Sequence, residues 1–142
     1  MPRDISEIVK LNLRCFYDGD NYSKQTFNYL LNEPRGLSYK AITREGSIVA
    51  FLFVLVNADG TAHVTTVGVD PRHRRRGLAK RLLLHLETVL LQKGISTIVL
   101  EVRVGNHPAQ RLYNSLGYTI TQRVSKYYNN GEDGFLMVRS LA

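Results

Sequence analysis

The chain has 142 residues, of which 44% are apolar, and it carries a formal net charge of +7. That length fits one domain with one core, residues 1–142, and the apolar share excludes an extended disordered chain. Cys15 is the single cysteine, which excludes an intramolecular disulfide, and cysteine and histidine together are too few and too scattered for a metal site. The opening MPRDISEIVK lacks the apolar centre of a signal peptide, and the longest apolar run, Ile48 to Val56, falls far short of a membrane span. A soluble cytoplasmic protein with no membrane association is therefore expected. The positive charge favours anionic partners without naming one.

Asp4 to Phe16 places apolar residues at helical spacing, with Asp4 or Ser6 as the cap. FYDGDNY reads as a loop. Ser23 caps a second helical pattern through Phe27, Leu30 and Leu31, which Pro34 ends. Leu37 to Thr43 reads as a strand, REGS as a turn, Ile48 to Val56 as a buried strand and NADG as a hairpin turn. A further strand, TAHVTTVGV, runs up to Asp70. The helix from Gly77 to Lys93 sets Leu78, Leu82, Leu86, Val89 and Leu90 on one face, and Gly94 stops it. Ser96 to Val104 is a strand, and His107 to Gly117 a short helix with Pro108 in its first turn. YTITQRVSKYY and GFLMVRSL are strands joined by a hairpin at NNGED. The order predicts an α/β domain with a mixed, mostly antiparallel central sheet flanked by helices.

The feature that calls for explanation is VDPRHRRRGLAKRLL. Of the 19 basic residues, 6 lie between Arg72 and Arg81, at the start of a helix whose dipole is already positive there. A strand, a basic turn, a glycine and a helix make an anion site, because the first amides of a helix have no partner of their own. Gly77 allows torsions that a residue with a Cβ resists. The spacing is neither the G-x-x-x-x-G-K loop nor the dinucleotide glycine fingerprint. Taken alone, the run reads equally as a solvated basic turn or a contact with RNA.

The surrounding motifs resemble the GNAT superfamily of N-acetyltransferases. VGVDPRHRRRGLAKRLL resembles its acyl-CoA-binding signature through Arg74, Gly77 and Ala79, and LEVRVGNHPAQRLYNSLGY resembles its second half. YYNNGEDGFLMVRSL resembles the ends of protein N-terminal acetyltransferases, closest in pattern to the bacterial ribosomal-protein-alanine type. The resemblance implies that acetyl-CoA is the co-substrate and that a protein or peptide N-terminus is the acceptor. It implies that the backbone of Val67, Gly68 and Val69 holds the pantetheine arm. It assigns the pyrophosphate to the amides of Arg75, Arg76, Gly77, Leu78, Ala79 and Lys80, with charge added by Arg74 and its neighbours. Asn106 matches a coenzyme contact, and Tyr113 the acid that protonates the leaving thiolate. Glu101 matches the base of the ribosomal-protein enzymes. Tyr22, Tyr127 and Tyr128 fall where the acceptor groove is shaped.

Residue chemistry leaves alternatives beside each assignment. An α-amine titrates at about 7.7–8.0 and a lysine at about 10.4, so an N-terminal amine needs only a modest base, such as a carboxylate acting through water. Glu101, an odd mid-strand charge, reads as that base or as the partner of Arg103 or of a cross-strand cation. Tyr113 on periodicity alone is a half-buried tyrosine packed on the sheet, and Tyr127 and Tyr128 read equally as strand-end packing. His63 and His107 read as polar surface, and Cys15 as buried filler. Where the ribosomal-protein enzymes have Pro-Trp-Ser, this chain has Asn21-Tyr22-Ser23 and no tryptophan. It also begins almost at its first helix, so the family's first strand is expected to be short or missing. A small amine or lysine side chain as acceptor, or a non-catalytic basic module on RNA, are the competing functions, with RNA contact expected of an enzyme only if it works at the ribosome. Monomer and homodimer remain equally open.

Overall fold

The computed structural model describes residues 4, 7, 8, 10, 11, 24–74, 76–125, 127 and 131–141. Glu7, Ile8, Lys10 and Leu11 are helical. Three helices follow, α1 (Lys24–Asn32), α2 (Leu78–Gln92) and α3 (His107–Ser115). The strands are β1 (Gly36–Ile42), β2 (Ile48–Val56), β3 (Thr61–Val69), β4 (Thr97–Arg103), β5 (Thr119–Val124) and β6 (Gly134–Ser140). They form one sheet in the order β1-β2-β3-β4-β6-β5. Every pairing is antiparallel except β3 with β4, which the crossover through α2 makes parallel. The expected mixed sheet is the one observed.

Composition explains why β2 sits inside. Its sequence IVAFLFVLV is apolar at every position, which suits a strand covered on both faces. Ala50, Leu52 and Val54 point into a core with Leu82, Leu83, Leu86 and Leu90 of α2. Ile48, Phe51 and Phe53 point the other way, against Phe27 and Leu30 of α1 and against Ile8 and Leu11. The Phe27 ring meets Phe53 at 5.2 Å and Phe51 edge-on at 6.1 Å. Each such buried side chain contributes about 1.5–3 kcal/mol by leaving water, so the three-ring cluster is a principal anchor of α1.

The structure alters the expected core at three points. Leu83 is buried in α2 while Val89 is only half-buried, so the buried stripe runs through Leu82, Leu83, Leu86 and Leu90. The strand expected from Tyr118 to Tyr128 is regular only over Thr119–Val124, and Tyr118 is 1% exposed in the core. β6 lies between β4 and β5, so the chain's last strand bridges the two halves of the carboxyl-terminal sheet. Ser6, Cys15, the FYDGDNY loop, the departure at Asn21-Tyr22-Ser23 and the Ser23 cap lie outside the described residues. At the other end of the sheet, β1 is the edge strand among the described residues, and its Lys40 Nζ pairs with Asp4 Oδ2 at 2.8 Å.

Candidate active site

The site is built by a divergence between the two parallel strands. β3 and β4 share rungs only from Thr61↔Thr97 to His63↔Val99. β3 nevertheless stays paired with β2 as far as Val69, and β4 with β6 as far as Arg103. A gap therefore opens between them toward their carboxyl ends, with Val67 and Gly68 on one margin and Glu101 on the other. The helices that leave those two ends, α2 and α3, turn their amino termini toward its mouth. Ligands of open α/β sheets bind outside the carboxyl ends of the strands, and this gap has that position.

The turn that enters α2 is fixed by a residue sequence inspection passed over. Asp70 is 2% exposed; its carboxylate accepts from the Arg72 amide at 3.0 Å and from Arg72 Nη2 at 3.2 Å. Its own amide donates to the Val49 carbonyl at 2.8 Å, which ties the turn Pro71–His73 to β2. The contact holds the Arg72 guanidinium above its ordinary pKa through a hydrogen bond and opposite charge. Arg74 Nε donates to the Val69 carbonyl at 3.2 Å. Arg76, Lys80 and Arg81 are exposed and have no carboxylate partner among the described residues. Arg72 and Arg74 thus bond within the turn, while Arg76, Lys80 and Arg81 extend into solvent.

Gly77 caps α2 at φ 73° and ψ 18°, the left-handed region in which a Cβ is strained. The first bond of the helix runs from the Arg81 amide to the Gly77 carbonyl at 2.9 Å. The amides of Leu78, Ala79 and Lys80 take no acceptor among the described residues, so three aligned donors face the mouth of the gap beside exposed cations. At the second helix, Asn106 Oδ1 caps the Ala109 amide at 3.2 Å. Gln110 Nε2 donates to the carbonyls of Arg103 and Val104 at 2.9 and 2.8 Å, locking α3 to the end of β4.

The expected acid and base stand on opposite faces of the sheet. Glu101 alternates with the buried Leu100 and Val102 and so faces away from α2 and α3. Its Oε2 lies 2.7 Å from His63 Nε2, with the two side chains 17% and 29% exposed. His63 is therefore a hydrogen-bonding partner of the carboxylate rather than plain polar surface, and it takes the cross-strand position beside Glu101. Arg103 instead pairs with Glu132 at 3.0 Å. Tyr113 projects from α3 into the core on the other face, 6% exposed, with its ring 5.7 Å from that of Tyr118. Burial pushes its phenol up to about 12, so the hydroxyl keeps its proton throughout the physiological range. Tyr118 is raised as well, by burial first and then by the charge of Glu87.

Val67, Gly68, Val69, Arg74, Arg76, Gly77, Leu78, Ala79, Lys80, Asn106 and Glu101 fall around this gap or on the turns and helix starts at its mouth, whereas Tyr113 lies in the core beneath α3. Tyr127 is 44% exposed beyond the end of β5. Arg75, Tyr22 and Tyr128 lie outside the described residues. Two surface cavities border the entrance of α2 and hold neither Glu101 nor Tyr113. One, of about 340 Å³, lies between β1 and α2, and another, of about 380 Å³, lies beside Asp70, Arg72 and His73. Among the described residues no group of acidic, histidine and cysteine side chains is arranged to hold a metal ion, and no helix is long and apolar enough to cross a membrane.

The chain is similar to known proteins over most of its length. The family model described as "Acetyltransferase (GNAT) family" matches residues 5–118. The chain is 32% identical to the N-alpha-acetyltransferase daf-31 of Caenorhabditis elegans, over 98% of this chain and 79% of that protein. It is 35% identical to the [ribosomal protein bS18]-alanine N-acetyltransferase of Escherichia coli K12, over 82% of this chain and 78% of that one. The solved structure of the Escherichia coli ribosomal-protein-S18-alanine N-acetyltransferase superposes with a TM-score of 0.87 at 30% identity, covering 99% of this chain and 89% of that one. A diverging pair of parallel strands, a basic helix entrance and matching relatives over nearly the whole length lead to one conclusion: the chain belongs to the GNAT family of acetyltransferases.

Proposed function

We propose that the chain transfers acetyl from acetyl-CoA directly to the α-amine of a protein or peptide N-terminus. The observation that carries this reading is the gap between β3 and β4, with amides at Leu78, Ala79 and Lys80 that have no partner among the described residues, beside exposed cations. Those donors suit a diphosphate, and the open margin at Val67 and Gly68 suits an extended arm with amides of its own. The relatives named above act on N-terminal amines by their names, which favours that acceptor over a lysine or a small amine. This reading suits the cytoplasm, where a lone thiol stays reduced and new N-termini emerge. The basic surface leaves contact with RNA open to an enzyme working at the ribosome, with coenzyme phosphates remaining its first ligand.

Acetyl-CoA supplies an acetyl group activated as a thioester. As the new C–N bond forms and the C–S bond breaks, one proton must leave the amine and one must reach the departing sulfur. Glu101, oriented by His63, accepts the amine's proton, directly or through a water. Tyr113, protonated at neutral pH, delivers the other from the opposite face of the sheet. Asn106 and Gln110 hold the helix that carries Tyr113.

Two matched peptides test the reading by intact mass. One has a free N-terminus and no lysine; the other has a blocked N-terminus and one lysine. Acetyl-CoA is expected to add one acetyl group to the first alone. Gain on the second alone would assign a lysine acceptor, and gain on neither would remove the reading.

A further inference from the structure

The loop between β5 and β6 is fastened to the far side of the site by a side chain that neither the coenzyme contacts nor the proton transfers use. Glu132 Oε1 accepts from Arg103 Nη1 at 3.0 Å, and its Oε2 accepts from the Gly105 amide at 3.0 Å. A Cβ on Gly105 would come within 2.9 Å of Oε2, so a larger residue there would push the carboxylate aside. Arg103 shares a face of β4 with Glu101, two residues beyond it. Gly105 directly precedes Asn106, the cap of α3. The adjoining Asp133 reinforces the attachment: its carbonyl accepts from the Val104 amide at 3.1 Å, and its Oδ2 from Arg123 Nε at 2.8 Å. One carboxylate therefore joins the hairpin, the end of the base-bearing strand and the corner that starts the acid-bearing helix.

We infer that Glu132 is a positioning residue for the acceptor: it latches the β5–β6 hairpin against the β4–α3 corner and so fixes one wall of the groove that receives the N-terminus. The inference rests on the N-terminal acetyltransferase reading. The coenzyme's phosphate donors lie at the start of α2, away from the latch, and Glu101 and Tyr113 keep their own supports in His63 and Tyr118. Loss of the latch should therefore fall on the acceptor.

The experiment uses the full chain and its Glu132→Ala and Glu132→Gln variants, with amide exchange of the free protein and steady-state kinetics on the free-N-terminus peptide. In Glu132→Ala the Gly105 amide is expected to exchange about tenfold faster or more, and the peptide KM to rise about five- to tenfold, the loss that charge-assisted bonds of this kind carry. The kcat and the affinity for acetyl-CoA should stay within about twofold, as expected when uniform acceptor binding is removed. Glu132→Gln keeps one acceptor oxygen and should recover part of the peptide KM. An unchanged peptide KM, unchanged exchange at Gly105, or an equal fall in kcat, coenzyme affinity and melting temperature would overturn the inference. If the wild-type chain acetylates neither free-N-terminus nor lysine peptides, the functional reading fails and the acceptor role falls with it. Exchange at Gly105 then still reports whether the latch itself exists.

Discussion

Replacing Tyr113 with phenylalanine is expected to lower kcat by about 100-fold or more while leaving the affinity for acetyl-CoA nearly unchanged, the range a positioned general acid commands. The hydroxyl is needed only as the thiolate leaves, so its removal should cost the transition state and spare the ground state. Stability gives an internal control. The ring is 6% exposed and packs on Tyr118, and phenylalanine keeps that packing. The phenol is raised from 10.0 to about 12 in the fold. Its contribution to stability is thus complete below pH 10 and lost as pH rises from there through about 12, because the unfolded chain releases its proton first. Tyr113→Phe should flatten that alkaline decline and leave neutral-pH stability intact. Full turnover in the variant would remove Tyr113 from the reaction, and a fall in turnover matched by loss of the fold would reduce it to packing.

Glu101→Gln is expected to lower kcat/KM by about 100-fold at neutral pH, and the deficit should narrow as pH rises past the amine's own pKa of about 7.7–8.0. Above that range the acceptor is already neutral and asks less of a base. Glutamine occupies the same volume and retains an oxygen for His63, so the melting temperature should change little. A pH-independent loss accompanied by lower stability would make the Glu101–His63 contact a structural strap between β3 and β4. The same contact supplies the second variant: His63→Ala frees the carboxylate without removing it, and a smaller loss than Glu101→Gln is expected if the histidine only orients.

Much of this layout is legible in the residues. β2 is marked by an unbroken apolar run, α2 by leucines at helical spacing between two glycines, and the hairpins by NADG and NNGED. These signals are local, and local periodicity decides them. What escapes is whatever depends on two distant segments meeting. His63 and Glu101 are 38 residues apart, and their contact follows from the parallel register of β3 and β4, which neither strand encodes alone. The gap is invisible for the same reason, since it consists of rungs that stop at Val99 while both strands continue. Asp70 looks like an ordinary loop acid until β2 closes over its amide. Glu132 reads as one more charge in a turn, because its value lies in reaching Gly105, 27 positions earlier. The basic run was the strongest clue to the ligand, yet the structure divides it by role: Arg72 and Arg74 build the turn, while Arg76, Lys80 and Arg81 remain available.

Residue-resolved amide exchange with and without acetyl-CoA tests most directly whether the gap between β3 and β4 is the coenzyme site. Slower exchange is expected at Leu78, Ala79 and Lys80 and along Val67 and Gly68, with β1 and β5 unaffected. Protection confined to β1, or none at saturating coenzyme, would contradict the account.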